Sequence, residues 1–129
     1  MFKLQQKRLF KIRICYHRRW LGTFDLKPQN DTVFIKMKGV IVEKYFTGNE
    51  WMSLAFKTEN NKVWHGTGGV YKLEDGILSE DIDYSLNDQV GTKNKLKVKV
   101  FNNTLYQSGI VQPGTHDEYK IEEYWIRVK

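Results

Sequence analysis

The chain has 129 residues, with 40% hydrophobic, 28% charged and 14% aromatic residues and a formal net charge of +6. That is enough chain for one domain, and 4 Trp, 7 Tyr and 7 Phe supply enough apolar surface to exclude a disordered polymer. A single cysteine, Cys15, excludes a disulfide framework, and no apolar run is long enough for a membrane-spanning helix.

The first element is basic. Residues 1–19 hold Lys3, Lys7, Arg8, Lys11, Arg13, Arg18 and Arg19 and no acid, while the remaining 110 residues hold 14 basic and 15 acidic side chains. The high isoelectric point therefore belongs to an N-terminal arm or edge strand, set apart from a body at 20–129. One reading is a solvated edge. The other is a segment that contacts nucleic acid or an anionic surface. Lys7, Arg8, Lys11 and Arg13 interrupt every run that would serve as the apolar stretch of an export signal. From Phe10 the pattern alternates, with Phe10, Ile12, Ile14 and Tyr16 against Lys11, Arg13, Cys15 and His17, which is a strand period.

The body reads as antiparallel β. Trp20 to Leu26 is a strand, followed by a loop with Pro28, Asn30 and Asp31. Residues 27–39 have room for one short helix, and Val33 to Met37 fits no single period. Val40 to Phe46 and Trp51 to Lys57 flank the hairpin signal Thr47-Gly48-Asn49. Val63 to His65 and Gly69 to Leu73 flank Gly66-Thr67-Gly68, which predicts a bulge or bend. Glu74-Asp75-Gly76 turns into Ile77 to Tyr84. Lys95 to Phe101 sets Leu96, Val98 and Val100 against Lys95, Lys97 and Lys99. Asn102-Asn103 turns into Thr104 to Val111, and Pro113-Gly114 into Tyr119 to Val128. Eight to ten strands joined by tight sequential turns predict a single antiparallel up-and-down barrel, which removes open sheet edges.

Trp20-Leu21-Gly22-Thr23-Phe24 resembles the opening strand of lipocalin-like proteins, often Leu-x-Gly-x-Trp, with Phe24 in place of the tryptophan. Glu122 to Lys129 resembles the closing strand of small bacterial lipocalin-like domain proteins, and Trp51 to Phe56, Gly68 to Tyr71 and Glu80 to Tyr84 follow in matching order. The resemblance covers about residues 20–129. It implies a calycin-type barrel around a small apolar or amphipathic molecule, an exported or periplasmic location, and a packing of Trp20 or Phe24 on Arg127 that plugs one end.

The candidate ligand residues are Trp51, Phe56, Tyr71, Tyr84, Trp125 and Arg127. Glu123, Trp125 and Arg127 share one strand face. If it points inward, Arg127 holds a ligand carboxylate and Trp125 stacks on the ligand's body. If it points outward, Tyr124, Ile126 and Val128 fill the core, and Glu123 needs no buried partner. His17, His65 and His116 are too far apart in sequence for the usual paired metal spacing, so no metal is expected, and His65 reads as a hairpin-edge residue. The acids Glu80, Asp81, Asp83, Glu122 and Glu123 read mainly as solvated strand faces. No nucleotide-binding or nucleophile motif occurs. The expectation is a non-enzymatic binding protein with no cofactor. The alternative is a nucleic-acid or anionic-surface module that uses the basic arm.

Overall fold

A computed structural model describes residues 10–21, 35, 36, 38–86, 88–115 and 118–128, with side chains for 11–13, 38–86, 88–115 and 118–128. Ten strands follow in order: β1 (Phe10–Leu21), β2 (Ile35–Lys36), β3 (Val40–Thr47), β4 (Glu50–Lys57), β5 (Val63–Glu74), β6 (Ile77–Asp81), β7 (Tyr84–Ser85), β8 (Lys93–Phe101), β9 (Thr104–Val111) and β10 (Tyr119–Val128). There is no helix among the described residues.

Every pairing is antiparallel, and wall neighbours follow chain order: β1, β3, β4, β5, β6, β8, β9, β10. β10 then pairs with β1 from Lys11↔Val128 to Leu21↔Tyr119, which closes an eight-stranded up-and-down barrel of lipocalin-like form. The short β2 pairs with β1, and β7 pairs with β5. Closure leaves no long row of unpaired backbone groups on these eight strands.

The closing strand β1 begins at Phe10, so ten residues of the basic N-terminal stretch are barrel wall. Residues 1–9 and Gly22 to Leu26, with Phe24, lie outside the described residues. So does the stretch 27–34, within the region expected to have room for a short helix; Ile35 and Lys36 are strand. A bulge between Ile14 and Tyr16 makes Cys15 the extra residue in the β1–β10 ladder.

The two ends of the barrel differ. At one end the hairpins are two-residue turns, Gly48-Asn49, Asp75-Gly76 and Asn102-Asn103. Asp75 and Gly76 both have positive φ, 53° and 75°, as the tightest hairpin turn demands. At the other end the connections are longer: 58–62, 82–92 and 112–118.

Alternation sorts the side chains. β8 buries Asn94, Leu96 and Val98 and exposes Lys93, Lys95, Lys97 and Lys99. The inward rows pack Ile12, Phe46, Trp51, Tyr71, Leu78, Val98, Leu105 and Trp125 into one cluster towards the short-turn end, joined by Ile82 just beyond β6. Phe46 meets Tyr71 edge-on, with centroids 5.0 Å apart. This core seals that end. At about 25 cal/mol per Å² of apolar surface removed from water, its large aromatics dominate the burial energy.

Two expectations need correction. Val63–Glu74 is one unbroken strand, not two strands around a bend. The glycines serve close approach instead. A Cβ at Gly68 would lie 2.6 Å from the Trp51 carbonyl oxygen, and one at Gly69 would run into the Asp81 carbonyl. Ile77 to Tyr84 is not one strand: β6 ends at Asp81 and the chain steps sideways. Ile82 N–H donates to Thr92 O, and Asp83 N–H donates to Gly68 O. β6 therefore covers the later half of β5, from Tyr71 to Glu74, and β7 covers Thr67 and Gly68.

Candidate functional site

Above the sealed core the barrel interior opens into a cavity of about 640 Å³ that reaches the long-loop end. Its wall carries the aliphatic Val40, Val42, Ala55, Ile82, Leu96 and Ile121, with the polar Ser53, Thr67 and Asn94 among them. These come from the inward rows of several different wall strands and from the step after β6, so the lining is a product of closure. Lys38, Trp64, His65, Gln89, Val111 and Tyr119 form the upper part.

Trp64 and His65 are sequence neighbours that both line the cavity. A register shift explains this: Ala55 pairs with His65 but Phe56 pairs with Val63, which leaves Trp64 as the extra residue of a bulge. Trp64 is 51% exposed and its ring centroid lies 6.1 Å from that of His65. His65 is therefore a half-buried wall residue inside β5, not a hairpin-edge residue. His116 lies outside the described residues, as does the side chain of His17.

The floor is polar. Lys44 follows Val42 on the inward row of β3, and its Nζ lies 2.7 Å from Glu80 Oε2. Both side chains are nearly sealed from water. The Lys44 ammonium also sits 5.3 Å from the Trp51 ring centroid, 5.4 Å from that of Trp125 and 5.8 Å from that of Phe46. Such cation–π contacts strengthen where water is excluded. Beside this pair, Gln107 Nε2 donates to Glu123 Oε1 at 2.7 Å. Trp51 Nε1 donates to Asp81 O at 3.1 Å. Two buried polar atoms on the floor have no hydrogen-bond partner among the described residues: Gln107 Oε1 and Trp125 Nε1.

Burial pushes the Tyr71 hydroxyl above the ordinary phenol value of 10.0. Tyr71 belongs to the sealed core beneath the floor. On the outer wall, burial and the adjacent Glu43 carboxylate raise Tyr45. That carboxylate is itself buried, 2.8 Å from Arg13 Nη2 and 3.7 Å from Lys11 Nζ.

The face bearing Glu123, Trp125 and Arg127 points inward, and Glu123 has the partner it needs in Gln107. Trp51 and Trp125 line the cavity. The other four sequence candidates lie elsewhere. Tyr71 is in the core. Phe56 is half-buried on the outward row opposite Ile41. Tyr84 is 53% exposed, with its ring against Gly68. Arg127 is opposite Ile12, beyond Trp125 at the sealed end, and does not line the cavity. The expected packing of Trp20 on Arg127 conflicts with the register: Trp20 is opposite Lys120, at the other end of the β1–β10 ladder.

Sequence reasoning missed Lys44, Glu80 and Gln107. Parity was the available signal for Lys44, which occupies the same row as Val42 and Phe46. Glu80 was grouped with Asp81 and Asp83, although Asp81 pairs with exposed Lys93 and Asp83 is itself exposed.

Among the described residues no three His, Cys, Asp or Glu side chains are placed to hold a metal ion, and no helix is long and apolar enough to cross a membrane. No protein-family model matches the chain, and neither a curated protein nor a solved structure matches it.

Proposed function

We propose that this protein is a lipocalin-like binder of a small, mostly apolar or amphipathic molecule, held in the barrel interior. The observation that carries this reading is the cavity of about 640 Å³, lined by aliphatic and aromatic side chains with polar ones among them and open at the long-loop end. Small-molecule sites commonly have this size and combine apolar wall with polar groups that fix the ligand's orientation. The ligand's apolar body lies against Val40, Val42, Ala55, Leu96 and Ile121, and Trp51 and Trp125 meet its buried end. Arg127, Tyr71, Phe56 and Tyr84 take no part.

The basic N-terminal stretch lends less support to a nucleic-acid or anionic partner. Two of its cations, Lys11 and Arg13, are engaged with Glu43 on the barrel wall.

Trp51, Trp64 and Trp125 line the cavity, so intrinsic fluorescence reports occupancy. Titration with a medium-chain amphiphile is expected to give a saturable change at one site per chain. Filling the space with Ala55→Trp abolishes it while the far-ultraviolet dichroism stays unchanged. Absence of saturation, or binding that survives the filled cavity, overturns the reading.

A further inference from the structure

We infer that the bound molecule presents to the floor an uncharged head that both donates and accepts a hydrogen bond, a carboxamide or a hydroxyl. The inference rests on the small-ligand reading above. Its basis is the pair of unpartnered atoms. Trp125 Nε1 is a donor only and Gln107 Oε1 an acceptor only. Both residues line the cavity, and both are at least nine-tenths buried. They sit one row apart on adjoining strands, since Gln107 is opposite Glu123 and Trp125 is opposite Leu105.

Each class of head group meets this pair differently. A carboxylate accepts from Trp125 but brings no hydrogen for Gln107. An ammonium donates to Gln107 but leaves the indole N–H unpaired. An ester accepts but cannot donate. A carboxamide does both with its carbonyl and its N–H, and a hydroxyl does both through one oxygen. Lys44 and Glu80 already face each other at 2.7 Å, so this pair calls for no counter-charge on the ligand. Leaving a buried donor or acceptor unpaired is penalised more heavily than a made bond is rewarded, so the mismatch is what selects.

The test is a set of probes with one tail and five heads: decanamide, decanol, methyl decanoate, decanoate and decylamine, titrated at pH 7 by calorimetry. Decanamide and decanol are expected to bind about tenfold more tightly than each of the other three. Trp125→Phe removes the donor and should narrow the preference for decanamide over decylamine. Gln107→Met removes the acceptor and should narrow the preference over decanoate and methyl decanoate. An ester or an ion that binds as well as the amide overturns the inference and leaves the cavity reading standing, and so do folded variants with unchanged preferences. If none of the five binds, the small-ligand reading falls too. Should either variant fail to fold, the ranking on the unaltered protein decides, with the ester separating hydrogen-bond matching from mere dislike of charge.

Discussion

Lys44 on β3 and Glu80 on β6 meet at 2.7 Å across the barrel interior, with side-chain exposures of 5% and 3%. Two further strands, β4 and β5, separate them in the wall, so the pair is a tie across the lumen as well as a floor. Its charge is neutralised locally, and three aromatic rings crowd the ammonium. The desolvation cost of such a pair offsets much of its attraction, so the cost of breaking it comes mainly from the partner left behind.

Glu80→Gln therefore leaves a buried ammonium without its counter-charge, and a loss of about 3–5 kcal/mol of folding stability is expected. The paired replacement Lys44→Met with Glu80→Leu removes both charges and should recover most of that loss. Urea denaturation of the three proteins checks this. A double variant as unstable as the single one would mean that packing, not charge, holds the floor.

Tyr71 supplies an alkaline limit. Burial raises its hydroxyl above the ordinary value of 10.0, so the unfolded chain ionises first. A group raised in the folded state contributes its full stability below the unfolded value and loses it as pH rises towards the folded one. Stability is expected to be flat through neutral pH and to fall above about pH 10. Tyr71→Phe should flatten part of that fall. Tyr45 and Tyr106, also raised by burial, keep the rest. Denaturant midpoints measured from pH 8 to 11 decide the matter, and an unchanged slope in the Tyr71 variant counts against it.

The parts of the fold visible in the sequence are those governed by parity and turn chemistry. Leu96 and Val98 against Lys95 and Lys97, and Asp75-Gly76 between two β-rich runs, report the barrel wall directly, because local pattern and burial agree there. The floor was harder to see because each of its polar residues is paired across strands distant in sequence. Lys44 and Glu80 are 36 residues apart, and Gln107 and Glu123 are 16 apart. A charged residue on an inward row reads as an error of phase until its partner is known. Aromatic content misled in the opposite direction. Phe56 and Tyr84 are large and apolar enough for a lining, yet alternation turns the first outward and the step after β6 carries the second to the surface.

Gly69 is where a backbone crossing replaces a side chain. Its would-be Cβ runs into the Asp81 carbonyl and comes within 3.0 Å of the Asp83 backbone nitrogen, and neither atom can move without shifting the step between β6 and β7. Gly69→Ala is expected to cost about 1–3 kcal/mol, the usual range for forcing extra volume into a packed site. Gly114→Ala is the contrast: it lies in an open loop with nothing within 4 Å of its would-be Cβ, although its φ of +78° carries a modest backbone penalty. Thermal melts should place Gly69→Ala well below Gly114→Ala. The reverse order would mean that the backbone at Asp81 yields to a methyl group, and that close approach does not account for glycine at this point of β5.

The cavity wall makes a quantitative demand on ligand length. Each methylene moved from water onto the aliphatic wall contributes about 0.8 kcal/mol, close to a fourfold gain in affinity. Alkanols from hexanol upward should follow that increment while the tail lies among Val42, Ala55, Leu96 and Ile121, and then level off as it reaches the rim at Lys38 and Trp64. The rim matters because Trp64 is half exposed, so further methylenes beside it gain only partial burial. Narrowing the wall with Leu96→Phe should bring the plateau on at a shorter chain without changing the increment below it. Calorimetric titration of the alkanol series on both proteins separates the two effects. An increment that changes with the variant, or a plateau that does not move, would place the tail somewhere other than this wall.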